Sequence, residues 1–199
     1  MTALLDLFGS QPGDGAGRLQ GLRSWDEAIS PAREAQLIAR IDGSDLRPSR
    51  FQGWLGKRLT CSFGWSYDFD HGRFERGLPL PDWLLPVRNV AAGCAGLPAI
   101  GFEQALLIRY DPGAGIGWHK DRPVFDDVVG ISLGNPGTLR FRRRRDRGFD
   151  RFAHEARPRS VYHIAEEARH AWEHSITEMA VPRWSITFRS LARPAPCAS

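Results

Sequence analysis

Three side chains in this 199-residue chain have the types and spacing to grip a metal ion. The segment "GWHKD" sets His119 two residues before Asp121, and "AWEHSI" supplies His174 much further on. Residues two apart on a strand point to one face, so a strand through "IGWHKD" would gather Gly117, His119 and Asp121 and turn Ile116 and Trp118 away. The glycine leaves room beside the two donors. Two imidazoles and one carboxylate on one face of an ion leave positions open for oxygen and a co-substrate, as in non-haem Fe(II) sites. A lone His-x-Asp also arises by chance on a solvated turn. His71, His154, His163 and His170 carry no comparable spacing.

A second pattern adds an anion-binding element. In "PRWSITFRSL" the residues Trp184, Ile186 and Phe188 alternate with Arg183, Ser185, Thr187 and Arg189. If the polar face looks inward, its two guanidiniums need an anion, because a buried unpaired charge is costly. A small dicarboxylate would satisfy both, each end clamped by paired hydrogen bonds. The alternative is an exposed face on an edge strand, which the alternation also allows. Tyr110, in "LLIRY", shares a strand face with Leu106 and Ile108, so its hydroxyl can reach inward or simply sit satisfied in a core.

The elements that must position these groups are mostly strands. Ser30 can cap a helix with Pro31 in its first turn, Glu34 following and Ala35, Leu37, Ile38 and Ile41 as an apolar stripe. A Pro-rich turn leads into a second helix over about residues 82–95. From residue 104 onward short strands dominate, among them "QALLIRY", "RHAWEHSI" and "RWSITFRSL", separated by Gly, Pro and charged turns and without internal repeats. The class expected is α+β and β-rich, a β-sandwich or jelly roll braced by N-terminal helices. Residues 1–20, with "GSQPGDGAGR", read as a flexible lead-in, and 21–199 as one domain.

Composition narrows the setting. The 14 prolines and 21 glycines fit a turn-rich β fold, and 42% hydrophobic residues can fill a core. The net charge is +4, carried almost wholly by arginine, since Lys57 and Lys120 are the only lysines. A basic chain is compatible with a nucleic-acid partner, and a biased genome composition would give the same excess. Cys61, Cys94 and Cys197 form no framework, no apolar run reaches membrane-spanning length, and "MTALLDLFGS" lacks a signal-peptide pattern. A cytoplasmic monomer with reduced thiols is expected.

The order His-x-Asp, distant His, Arg, then a second Arg six residues later resembles the AlkB family of Fe(II)/2-oxoglutarate dioxygenases. The resemblance runs from Leu106 to Leu191 through "IRYDPGAGIGWHKD", "VVGISLG", "WEHSI" and "RWSITFR", and extends more weakly toward the N-terminus. It implies a double-stranded β-helix core, with iron on His119, Asp121 and His174. It also implies Arg183 and Tyr110 on the distal carboxylate of 2-oxoglutarate and Arg189 near its iron-side carboxylate. Ile108 and Ser185 depart from the asparagines that relatives carry there. The implied reaction uses O2 and 2-oxoglutarate to demethylate alkylated bases in DNA or RNA. Branches of the family act instead on a modified tRNA base or a protein side chain. A non-catalytic nucleic-acid-binding module or a zinc hydrolase is the contrasting class.

A base must leave its stack to enter such a site. Residues 51–77 correspond in position to the family's recognition lid. Trp54, Trp65 and Tyr67 are stacking candidates there, with Arg58 and Lys57 for phosphates. Phe63 and Phe69 read instead as core packing. The run "RFRRRRDRGFDR", residues 140–151, is the densest basic stretch, part of it the solvated face of a strand carrying Leu139 and Phe141.

Overall fold

The computed structural model describes residues 19–51, 54–68 and 73–192. Strand β1 (Leu22–Trp25) leads into helix α1 (Pro31–Asp42), followed by β2 (Arg47–Phe51), β3 (Trp54–Phe63), β4 (Trp65–Asp68) and β5 (Arg73–Arg76). Helix α2 (Leu85–Ala95) then precedes β6 (Phe102–Tyr110), β7 (Ile116–His119), β8 (Phe125–Leu133), β9 (Gly137–Arg144), β10 (Phe149–Ala156) and β11 (Val161–Ile164). Helix α3 (Glu166–His170), β12 (Glu173–Ile176) and β13 (Arg183–Leu191) complete the order.

The strands form a seven-stranded sheet in the order β1-β11-β8-β13-β6-β3-β2, a four-stranded sheet in the order β10-β9-β12-β7, and the β4–β5 hairpin. All pairings are antiparallel. The two larger sheets face each other as a double-stranded β-helix, which is the expected jelly roll. The seven-stranded sheet separates two cores. On one side α1 and α2 bury Leu37, Ile41, Val87 and Ala91 against Ile186 and Phe188. On the other, Ile108, Tyr110 and Tyr162 meet Leu139, Phe141 and Ile176 of the smaller sheet.

The first helix forms as its sequence requires. The Ser30 hydroxyl accepts from the Arg33 N–H at 3.2 Å, Pro31 sits in the first turn, and Leu37 and Ile41 face the sheet. The second is preceded by a 3-10 turn at Asp82–Leu84 and ends at Gly96, whose φ of 72° is left-handed. Three expectations need adjustment. Leu19 is buried in the second core and Gln20 O accepts from Ala168 N, so both belong to the folded body rather than a lead-in. "RHAWEHSI" is not one strand: α3 ends at His170, and only Glu173–Ile176 pairs. Strand β7 ends at His119, so Asp121 lies beyond it and does not share a strand face with the histidine. Phe69, His71 and Cys197, like most of the lead-in, lie outside the described residues.

Candidate active site

Two remote segments meet at the smaller sheet. His119 on β7 lies directly across from His174 on β12, with ring centroids 4.3 Å apart. His119 Nδ1 is 2.9 Å from Gly117 O. A carbonyl can only accept, so Nδ1 carries the proton and Nε2 keeps the lone pair that a metal needs. Gly117 itself is open: a Cβ there would meet nothing within 4 Å. Burial pushes the His174 imidazole down to about 3, against the pull of Asp121, and lowers His119 in the same way. Both rings are therefore neutral at ordinary pH, the state in which imidazole ligates.

Asp121 completes the cluster from the loop after β7. Its Oδ2 is 3.8 Å from His174 Nε2. Its Oδ1 is held by Arg189, at 3.1 Å from Nε and 2.9 Å from Nη2. Burial works to raise the Asp121 carboxyl, but the Arg189 guanidinium, joined by the two imidazoles once acid protonates them, holds it well below the usual carboxylate range. As the side chains stand they do not close into a cage, and among the described residues no three His, Cys, Asp or Glu side chains have metal-holding geometry. The carboxylate is oriented by the guanidinium. Arg169, 4% exposed, fixes the segment beyond it by donating to the carbonyls of Arg122, Phe125 and Asp126.

The arginines lie on β13, in the middle of the larger sheet, and face the smaller one. Arg183 is 0% exposed and stands opposite Tyr110 in register, its guanidinium 5.4 Å from the tyrosine ring centroid. Its Nη2 donates to Ser132 Oγ at 3.0 Å, while Nε and Nη1 have no hydrogen-bond partner among the described residues. Such a group is costly unless an anion completes it. Gly137 makes its space, since a Cβ there would lie 2.7 Å from Nε. The exposed-edge alternative is thus excluded: β13 is interior and its polar face is buried. Arg189 Nη1 donates to Gln104 Oε1 at 2.9 Å, and Gln104 Nε2 donates to Ser62 Oγ at 3.0 Å. The two departures noted in sequence share one row with Ser132: Ser185 pairs with Ile108 on one side and with Ser132 on the other.

Sequence reasoning passed over four contributors: Ser132, Gln104, Gly130 and Tyr162. Gln104 carried a signal, as a polar residue on the face shared by Leu106, Ile108 and Tyr110. Tyr162 on β11 pairs with Gly130 on β8, and its buried hydroxyl faces Thr187 and Arg183. A Cβ at Gly130 would clash with that ring. Gly130→Ala is therefore expected to cost about 1–3 kcal/mol of stability, as overpacking does. Urea denaturation checks this, and adding Tyr162→Leu should recover most of the loss.

The lid candidates are placed unevenly. Trp54 starts β3 and Tyr67 lies on β4, their side chains outside the described set. Arg58 Nε is 3.3 Å from Ser49 Oγ, and its charge reaches His119. Trp65 is already engaged: it stacks on Phe74 at 4.7 Å, with Arg76 5.3 Å from its ring centroid. Phe74 in turn meets Phe125 edge-on, and Phe125 lies under Arg189 at 5.3 Å, so the hairpin rests on the site. Phe63 packs against the helix-side core. His163 is paired with Asp127 at 2.7 Å and His170 with Asp126 at 3.3 Å, both apart from the His119–His174 pair.

By fold, the molecule is a double-stranded β-helix of the oxygenase kind. A family model described as the 2OG-Fe(II) oxygenase superfamily matches residues 52–189, and the chain belongs to that superfamily, which uses Fe(II), 2-oxoglutarate and O2. An alkylated DNA repair protein ALKBH8 homolog from Arabidopsis thaliana is 26% identical over 189 residues, covering 79% of this chain and 51% of the relative. The chain thus spans about half the length of that relative. The solved structure of OsALKBH1 matches with a TM-score of 0.66 at 14% identity, covering 88% of this chain and 99% of that one. A Pseudomonas putida prolyl-4-hydroxylase matches with a TM-score of 0.58 at 14% identity, covering 87% and 94%. Together these support an AlkB-like 2-oxoglutarate oxygenase.

Proposed function

We propose that this protein demethylates alkylated bases in DNA or RNA, with His119, Asp121 and His174 holding iron and Arg183 anchoring 2-oxoglutarate. The observation that carries the site is the buried Arg183, whose Nε and Nη1, beside Tyr110, lack hydrogen-bond partners among the described residues. A carboxylate is the group that satisfies them. The donor set fits ferrous iron: two neutral imidazoles and a carboxylate that stays ionised throughout the working range. Support for the substrate class comes from the relative named for alkylated DNA repair, aligned over 79% of this chain.

When bound, iron and 2-oxoglutarate would activate O2, one oxygen atom entering succinate as 2-oxoglutarate loses CO2 and the other hydroxylating a substrate C–H bond. The protein's own residues bind, orient and exclude. Arg183, Ser132 and the hydroxyls of Tyr110 and Tyr162 would hold the distal carboxylate. Arg189 holds Asp121 and would lie toward the other carboxylate. Gly117 leaves the approach to the imidazoles open. A hydroxylated N-methyl group is a hemiaminal, which releases formaldehyde and leaves the unmethylated base.

A panel of methylated single-stranded DNA and RNA oligonucleotides, scored by mass, is expected to show loss of a methyl group that depends on Fe(II) and 2-oxoglutarate. If 2-oxoglutarate is consumed but no oligonucleotide loses mass, the substrate is not an alkylated base and a protein side chain becomes the reading to test. If no condition consumes 2-oxoglutarate, the catalytic reading falls.

A further inference from the structure

The outer face of the smaller sheet is not used by the site. Leu139 and Phe141 of β9 point into the core, so Arg140, Arg142 and Arg144 point away from it. Trp118, next to His119 on β7, lies between two of them, with guanidinium carbons 5.0 Å (Arg140) and 4.5 Å (Arg142) from its ring centroid. Phe149 on β10 continues the row, with Arg142 at 4.8 Å, Arg144 at 5.6 Å and Arg151 at 5.8 Å. The result is a ladder of alternating guanidiniums and rings that begins on the strand carrying a proposed iron ligand.

Most acids nearby are already spent. Glu173 pairs with Arg142, Asp150 with Arg143 and Arg145, and Glu167 with Arg143. Among the described residues no ion pair neutralises Arg140, Arg144 or Arg151. Arg144 and Arg151 are exposed. Asp146 at the hairpin turn subtracts one charge and leaves the ladder cationic. Rings brace the guanidiniums; Arg142 gives an N–H to Glu173 and Arg140 one to Ser175 Oγ, whereas among the described residues Arg144 and Arg151 keep their N–H edges free, the arrangement that suits phosphate. Alternate residues on a strand are roughly 6.6 Å apart, a spacing that matches successive phosphates of an extended single strand.

We infer that this ladder is a docking track for the phosphate backbone of a single-stranded nucleic acid, guiding it across β9 and β10 toward β7 and the site. The inference rests on the nucleic-acid reading above. Its test measures binding of an unmethylated single-stranded oligonucleotide, DNA and RNA in separate arms, to the full chain across a salt series. Arg144→Ala/Arg151→Ala removes two contacts. It is expected to lower the slope of log affinity against log salt by about 1.4, and affinity near 0.15 M salt roughly tenfold. R144K/R151K should keep the slope. Arg33→Ala/Arg40→Ala, with the same loss of charge on the helix side, should keep it too, and 2-oxoglutarate turnover without nucleic acid should match the parent in every variant. Unchanged binding by the alanine pair, or an equal loss in the helix-side control, overturns the track and leaves the demethylase reading standing. Parent protein that ignores both oligonucleotides overturns track and substrate class together. Binding only to vesicles containing phosphatidylserine assigns the face to a lipid surface and overturns the inference.

Discussion

Asp121→Ala is expected to abolish 2-oxoglutarate turnover, with a loss of at least about 100-fold, since even partners outside the ligand set cost about 10–100-fold in metal sites. The residue supplies the one negative charge proposed for the iron, and its Oδ1 is also the partner of Arg189. Two consequences can be separated. The first is loss of metal binding, read as loss of the thermal shift that Fe(II) gives the parent protein under anaerobic conditions. The second is destabilisation of the metal-free protein, because among the described residues Arg189 then keeps Gln104 as its one hydrogen-bond partner, and stranding one partner of a buried pair costs about 3–5 kcal/mol. His119→Ala distinguishes them, because among the described residues the one hydrogen bond of His119 is to Gly117 O: it should abolish turnover with a much smaller stability loss. Full turnover by either variant would remove iron from these side chains.

Arg183→Met is expected to have a different signature. The charge-assisted hydrogen bonds that its free Nε and Nη1 would give a carboxylate are worth about 1.5–3 kcal/mol each. Two of them amount to at least about 100-fold in the 2-oxoglutarate requirement. Iron binding should persist, because Arg183 is not paired with Asp121; that role belongs to Arg189. The metal-free protein should be as stable as the parent or more so, since an apolar side chain replaces a buried charge whose hydrogen bonding is incomplete. Arg183→Lys should not rescue, because an ammonium cannot present the paired fork. Anaerobic titration with Fe(II) and 2-oxoglutarate reads the defect directly, through the weak visible charge-transfer band that the parent should develop. An unchanged titration midpoint would take Arg183 out of the co-substrate site.

The sequence disclosed groups whose signal is local. Ser30 and Pro31 sit at the first helix because capping depends on neighbouring residues. The alternation from Arg183 to Arg189 showed two faces, because side chains on a strand have a period of two. What it could not show is which strands adjoin. Tyr162 and Gly130 are neighbours only because β11 pairs with β8, and neither residue looks functional by type. Gln104 reaches Arg189 across β6 and β13 for the same reason. Asp121 was placed on the His119 face by continuing the strand, whereas β7 stops at the histidine and the carboxylate is brought back by a guanidinium from another sheet. Trp65 reads as a stacking platform by composition, yet its partner Phe74 comes from the next strand of the hairpin.

Strand β13 ties the durability of the protein to its chemistry. Ile186 and Phe188 anchor the oily layer under the helices, and Arg183 and Arg189 look the other way. A slip of one residue would exchange these sets, driving guanidiniums into hydrocarbon and presenting indole and phenyl rings to the co-substrate. No partly working misalignment is available to this strand, so errors in threading it should surface as aggregation or degradation rather than as a folded but sluggish enzyme.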